Sequence, residues 1–63
     1  MDKEVVIAQL TELRLQNTFI ASKTLQQLMP LPVDEAIAFL KLFEPIEEAI
    51  DNCIKHINNN YNE

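Results

Sequence analysis

The 63-residue chain contains no glycine and no tryptophan, and only 6% of it is aromatic. Sheet proteins turn sharply at residues of positive φ, a role glycine fills most easily. Its absence points to few turns and long helices, and it excludes a glycine-rich phosphate loop. A single cysteine, Cys53, excludes an intrachain disulfide and gives no sign of an oxidising compartment. Basic residues number five (Lys3, Arg14, Lys23, Lys41, Lys55), are scattered, and leave a formal charge of −5. That balance argues against attraction to nucleic acid or an anionic membrane. No apolar run reaches the 18 or so residues of a membrane span, and the first residues do not read as a secretory leader. The expectation is a cytoplasmic protein with no membrane and no direct nucleic-acid partner.

What is present is a 48% apolar composition, ordinary for a folded domain. From Asp2 to Met29 no proline intervenes, so the segment reads as one long helix. Asp2 and Glu4 suit the positive end of its dipole. Val6, Leu10, Leu13, Asn17, Ile20, Thr24 and Leu28 recur at spacings of three and four, which defines one face.

Met29-Pro30-Leu31-Pro32 forms the linker. Pro30 disfavours helical backbone at Met29, and Pro32 fits the first turn of a new helix. A tight link between two long helices implies an antiparallel hairpin. The second arm runs from about Pro32 to Ile57, with Phe39, Phe43, Ile46, Ile50, Cys53 and Ile57 in heptad spacing and Ala36 extending it backwards. Pro45 falls inside this seam, where a mid-helix proline costs about 3 kcal/mol and frees the Lys41 carbonyl. The second helix is therefore kinked or broken there. The unbroken phase of the seam favours the kink. Folding at residues 30–31 sets Asn17 opposite Glu44 and Pro45. Its amide is expected to satisfy backbone freed by the proline, or to pair with Asn17 of a second chain. The hairpin domain spans residues 1–57. The asparagine-rich segment 58–63 is expected to fray as a flexible tail.

A hairpin hides one seam per arm, and this chain carries more apolar surface than that. Leu15 and Phe19 lie one turn apart, well away from the first seam, and Val33, Ile37 and Leu40 continue beyond the second. These five residues are the expected self-association or partner interface. The simplest arrangement that covers them is a homodimer, a four-helix bundle of two hairpins. The alternative is a compact monomer that breaks at Pro45 and folds a short third helix over the patch.

Cys53 and His56, three apart, would offer two metal ligands from one helix, but no further Cys or His exists and Cys53 sits in the seam. The favoured reading of both is structural, with no metal and no cofactor. Glu44, Glu47, Glu48 and Asp51 form the densest charge cluster. A solvated face is its simplest reading, an acidic face for a basic partner the next, and acid–base catalysis the last. The composition thus points away from an enzyme and toward protein–protein contact.

The segments Leu31–Leu40 (LPVDEAIAFL) and Pro45–Ile50 (PIEEAI) resemble a pattern found in small uncharacterised helical proteins of phages and prophages of Gram-positive hosts. There, a Leu-Pro, an alanine-bearing helix and a second charged helical stretch make up the C-terminal half. The resemblance spans about half of the chain through a motif of low specificity. This sequence has fewer lysines and ends in asparagines. The resemblance implies a phage or prophage origin and assigns no functional residues. The surplus apolar surface, the acidic face and the lack of catalytic residues carry the expectation of a phage-type accessory protein that binds and modulates a host or defence protein. The alternative is a structural or assembly component forming a helical oligomer.

Overall fold

The computed structural model describes residues 1–61. They form three helices: α1 (Lys3–Leu28), α2 (Val33–Lys41) and α3 (Glu44–Asn60). Asp2 caps α1, its Oδ1 accepting from the Val5 amide at 3.2 Å. That bond satisfies one of the donors a helix start leaves orphaned. The α1 helix ends at Leu28, ahead of Pro30, as the linker predicts, and Pro32 is the N-cap of α2, one position before the first turn in which the sequence places it.

The α1 and α3 helices lie side by side and antiparallel. Lys3 Nζ donates to the Asn58 carbonyl at 3.2 Å, Arg14 Nε to Asp51 Oδ1 at 2.7 Å, and Thr18 Oγ1 to Glu47 Oε1 at 3.1 Å. The hairpin-like arrangement of the sequence reading is therefore present. Its register differs by up to a turn: Asn17 is level with roughly residue 48 rather than with Glu44 and Pro45.

The second arm is broken, not kinked. The α2 helix stops at Lys41, Leu42 and Phe43 make a turn, and α3 begins with Pro45 in its first turn. There the missing N–H costs nothing, because the first amides of a helix have no internal acceptor. Restarting the helix is thus cheaper than carrying proline mid-helix. Leu42 and Phe43 keep right-handed helical dihedrals (φ/ψ −66/−23° and −88/−16°), so the seam stays nearly in phase across the break. Phase alone could not distinguish the two geometries.

The fraying expected from residue 58 does not occur where the sequence suggests. Helix α3 continues through Asn60, whose Nδ2 donates to the His56 carbonyl at 2.9 Å. With Lys3 on the Asn58 carbonyl, side chains cover acceptors that a helix end otherwise leaves to water. Residues 62 and 63 of that segment lie outside the described residues.

The molecule is a single layer, with principal extents of 49 × 16 × 9 Å. Its radius of gyration is 15.0 Å, against roughly 11 Å for a compact chain of this length. The compact monomer is thereby set aside: the chain breaks at Pro45, but α3 lies along α1 and does not fold over the apolar patch. Among the described residues only Ala21 (5% exposed) and Ile50 (7%) are buried, and no side chain is fully enclosed. The accessible surface is 4918 Å², about 750 Å² more than a folded monomer of 7.3 kDa usually exposes.

Candidate interaction surface

The strip along which α1 meets α3 is partly polar. Half-buried or buried residues on α1 are Lys3, Val6, Ile7, Leu10, Arg14, Asn17, Ala21, Thr24 and Leu25. Opposite them are Glu47, Ile50, Asp51, Ile54 and Ile57. Arg14 sits between two carboxylates, 2.7 Å from Asp51 and 3.9 Å from Glu47. Ala21 is small enough to let the backbones approach. These contacts turn the two helices relative to the seams read from the sequence.

Of the expected seam, Val6, Leu10, Asn17, Phe39, Phe43 and Ile57 are half-buried, and Ile50 is buried. Phe39 and Phe43 meet edge to face, centroids 5.4 Å apart. Leu13, Ile20, Ile46 and Cys53 do not join the contact. The first three are 46–55% exposed, and Cys53 is exposed as well. The apolar stripe of each helix is centred to one side of the contact line, with Arg14 and Glu47 on that line and Thr18 and Asp51 reaching across it from the other side.

The displacement has the same sense on both helices. With about 100° per residue, Leu13 and Ile20 lie some 70–90° to one side of the direction in which α1 faces α3. On α3, Ile46 and Cys53 lie about 70–90° from its inward direction in the same rotational sense. In an antiparallel pair, equal senses of rotation point to the same broad side. One broad face of the layer is therefore apolar (Leu13, Ile20, Ile46, Cys53), and the other carries Thr11, Thr18, Glu44 and Asp51.

Asn17 is half-buried, and its amide nitrogen is the unusual part. Its Nδ2 is sealed from solvent and has no hydrogen-bond partner. The expected role at the proline therefore fails: with the helix broken, no mid-helix carbonyl waits for a donor, and Asn17 makes no such bond.

The five residues proposed from sequence as an interface are all exposed, from Leu40 at 41% to Val33 at 75%. Leu15 and Phe19 lie on the far side of α1 from α3, separate from the broad apolar face. The acidic face is half consumed within the chain. Glu47 and Asp51 turn to Arg14 and Thr18, which leaves Glu44 and Glu48 as the exposed members of the cluster. A like-charged surface of two carboxylates is a weak attractor for a basic partner.

A shallow depression of about 480 Å³ lies near the C-terminal end of α3, lined by Met1, Asn52, Cys53, His56, Ile57 and Tyr61. Cys53 is a free, exposed thiol. His56 Nδ1 lies 3.1 Å from Asn60 Nδ2, and its ring meets Tyr61 edge to face at 5.8 Å. Among the described residues no three His, Cys, Asp or Glu side chains are grouped to hold a metal, and no helix is long and apolar enough to cross a membrane. The chain matches no protein-family model, no curated protein and no solved structure.

Proposed function

We propose that this protein acts by contact rather than by chemistry, as a small accessory module of the phage type that binds and modulates a host or defence protein in the cytoplasm. In its working form two hairpins associate as a four-helix bundle. The observation that carries the reading is the surplus of exposed apolar side chains: the chain leaves about 750 Å² more surface in water than a monomer of its mass normally does. A surplus of that size is close to the ~800 Å² each partner contributes to a standard interface. The second reading is an assembly component, and the continuation of apolar side chains around α1 (Leu15, Phe19) favours it, since contacts on several sides build larger oligomers.

A photo-crosslinking amino acid placed at Phe19 in the full chain, expressed in its host, separates the two. The modulator reading expects one discrete adduct with a different protein, lost on Leu15→Glu. A ladder of adducts between copies of this chain supports the assembly reading. Absence of any adduct overturns both assignments of the Leu15–Phe19 edge.

A further inference from the structure

We infer that α2 is a strap: it lifts from α1 as one unit, by local unfolding, while the α1–α3 pair stays folded. The inference is independent of which partner the protein contacts, and it makes the turn end of the hairpin a surface with two states.

The way α2 is held carries it. The buried residues Ala21 and Ile50 lie on α1 and α3, and no residue of α2 is buried. Among the described residues, the side-chain hydrogen bonds and ion pairs between helices all run from α1 to α3. Within α2 the half-buried residues are Ala36 and Phe39, and Phe43 of the following turn packs edge to face on Phe39. The ends of α2 are held no more firmly. Pro32 at the N-cap offers its first amides no side-chain bond, whereas Asp2 caps α1. After Lys41, the amides of Leu42 and Phe43 reach only three residues back, to Phe39 and Leu40.

A helix of 9 residues does not persist alone in water, where fewer than about 12–15 residues are marginal. The α2 segment therefore keeps its helix only while seated, and seat and helix are lost together. Openings of this kind, cheaper than global unfolding, arise in segments with few buried apolar contacts.

What the strap covers follows from the register. The pairings Arg14–Asp51 and Thr18–Glu47 set Ala21 level with Glu44, where α3 begins. Thr24 and Leu25 stand beyond that level and are still half-buried. Their cover is α2, which touches α1, together with Leu31 of the linker. Lifting α2 uncovers Leu25 and frees Phe39 and Phe43. A partner that engages these side chains selects the lifted state, and its apparent affinity is lowered in proportion to the fraction of chains in that state.

Native-state hydrogen exchange of the full chain, followed by NMR, tests the strap in the wild type and in Ile50→Ala. Ile50 lies about 9 Å along α3 from its start, and it stays buried whether α2 is seated or lifted. After correction for intrinsic rates, amides of Ile37 to Lys41 are expected to exchange at least about 10-fold faster than those of Ala21 and Ile54. Ile50→Ala should speed Ala21 and Ile54 by about 30-fold or more. The same variant should leave the α2 rates within about two-fold. Should Ile50→Ala unfold the chain, Ile50→Val replaces it, with about 2- to 12-fold expected at Ala21 and Ile54 and the same constancy in α2. A shared acceleration of all three helices overturns the inference, because the chain would then open only as one cooperative unit. Exchange of α2 at unfolded-chain rates overturns it as well, since no seated state would exist.

Discussion

Replacing Asn17 by leucine examines the least comfortable residue in the chain. Its Nδ2 is buried without a partner, and an orphaned buried polar group costs about 1–3 kcal/mol. Because Asn17 as a whole is only half-buried, the lower part of that range applies. Leucine removes the orphan and adds apolar surface to a seam already containing Leu10, Ala21 and Ile50. The expected gain is about 1–2 kcal/mol, which for a chain of this size raises Tm by roughly 5–15 °C. The assay is thermal unfolding followed by circular dichroism at several concentrations, paired with sedimentation equilibrium. If Asn17 pairs with Asn17 of a second chain, the gain comes with loss of a single association state, and trimers or tetramers appear beside the dimer. A fall in Tm would refute the reasoning, since it would mean that the amide makes a bond in solution worth more than the burial leucine adds. A rise in Tm with the association state unchanged would leave the orphan cost standing and remove any register role.

Ile50→Ala opens a cavity at one of the two buried positions among the described residues, and the expected loss of about 2–4 kcal/mol is a large share of the ~3–9 kcal/mol a chain of this length commands. Urea titration that finds less than 1 kcal/mol would place the core elsewhere. Asp2→Ala removes the α1 cap at Val5, with about 1 kcal/mol expected to be lost and the first turn expected to exchange its amides faster. A double-mutant cycle on Arg14→Met and Asp51→Asn should return a coupling of about 0.5–1 kcal/mol, since both side chains are more than a third exposed. The coupling should shrink with added salt. Pro45→Ala removes the reason for the break. Leu42 and Phe43 already hold helical dihedrals, so helical ellipticity should rise as α2 and α3 fuse; unchanged ellipticity would assign the break to packing instead of to proline.

Local chemistry was enough to specify the helices, the hairpin and the Pro30–Pro32 turn. Lack of glycine, the heptad spacing and the placement of Asp2, Pro30 and Pro32 are short-range properties, and each acts wherever the rest of the chain lies. The same information identified Leu15, Phe19, Val33, Ile37 and Leu40 as apolar residues in excess of what a hairpin hides. Periodicity could not distinguish a kink from a break at Pro45, because Leu42 and Phe43 keep the phase in either geometry.

The tertiary structure alone decided which side of each stripe faces the neighbouring helix. Heptad spacing locates a stripe about 100° wide on a helix surface, and two such stripes can meet edge to edge as well as centre to centre. Here Arg14 reaching Asp51 and Glu47, and Thr18 reaching Glu47, hold the contact on one edge. Those pairings join residues 29 to 37 positions apart, so no local pattern reports them. Their consequence is a layer with an apolar broad face. That face, and not small size alone, is the physical reason to expect a second chain.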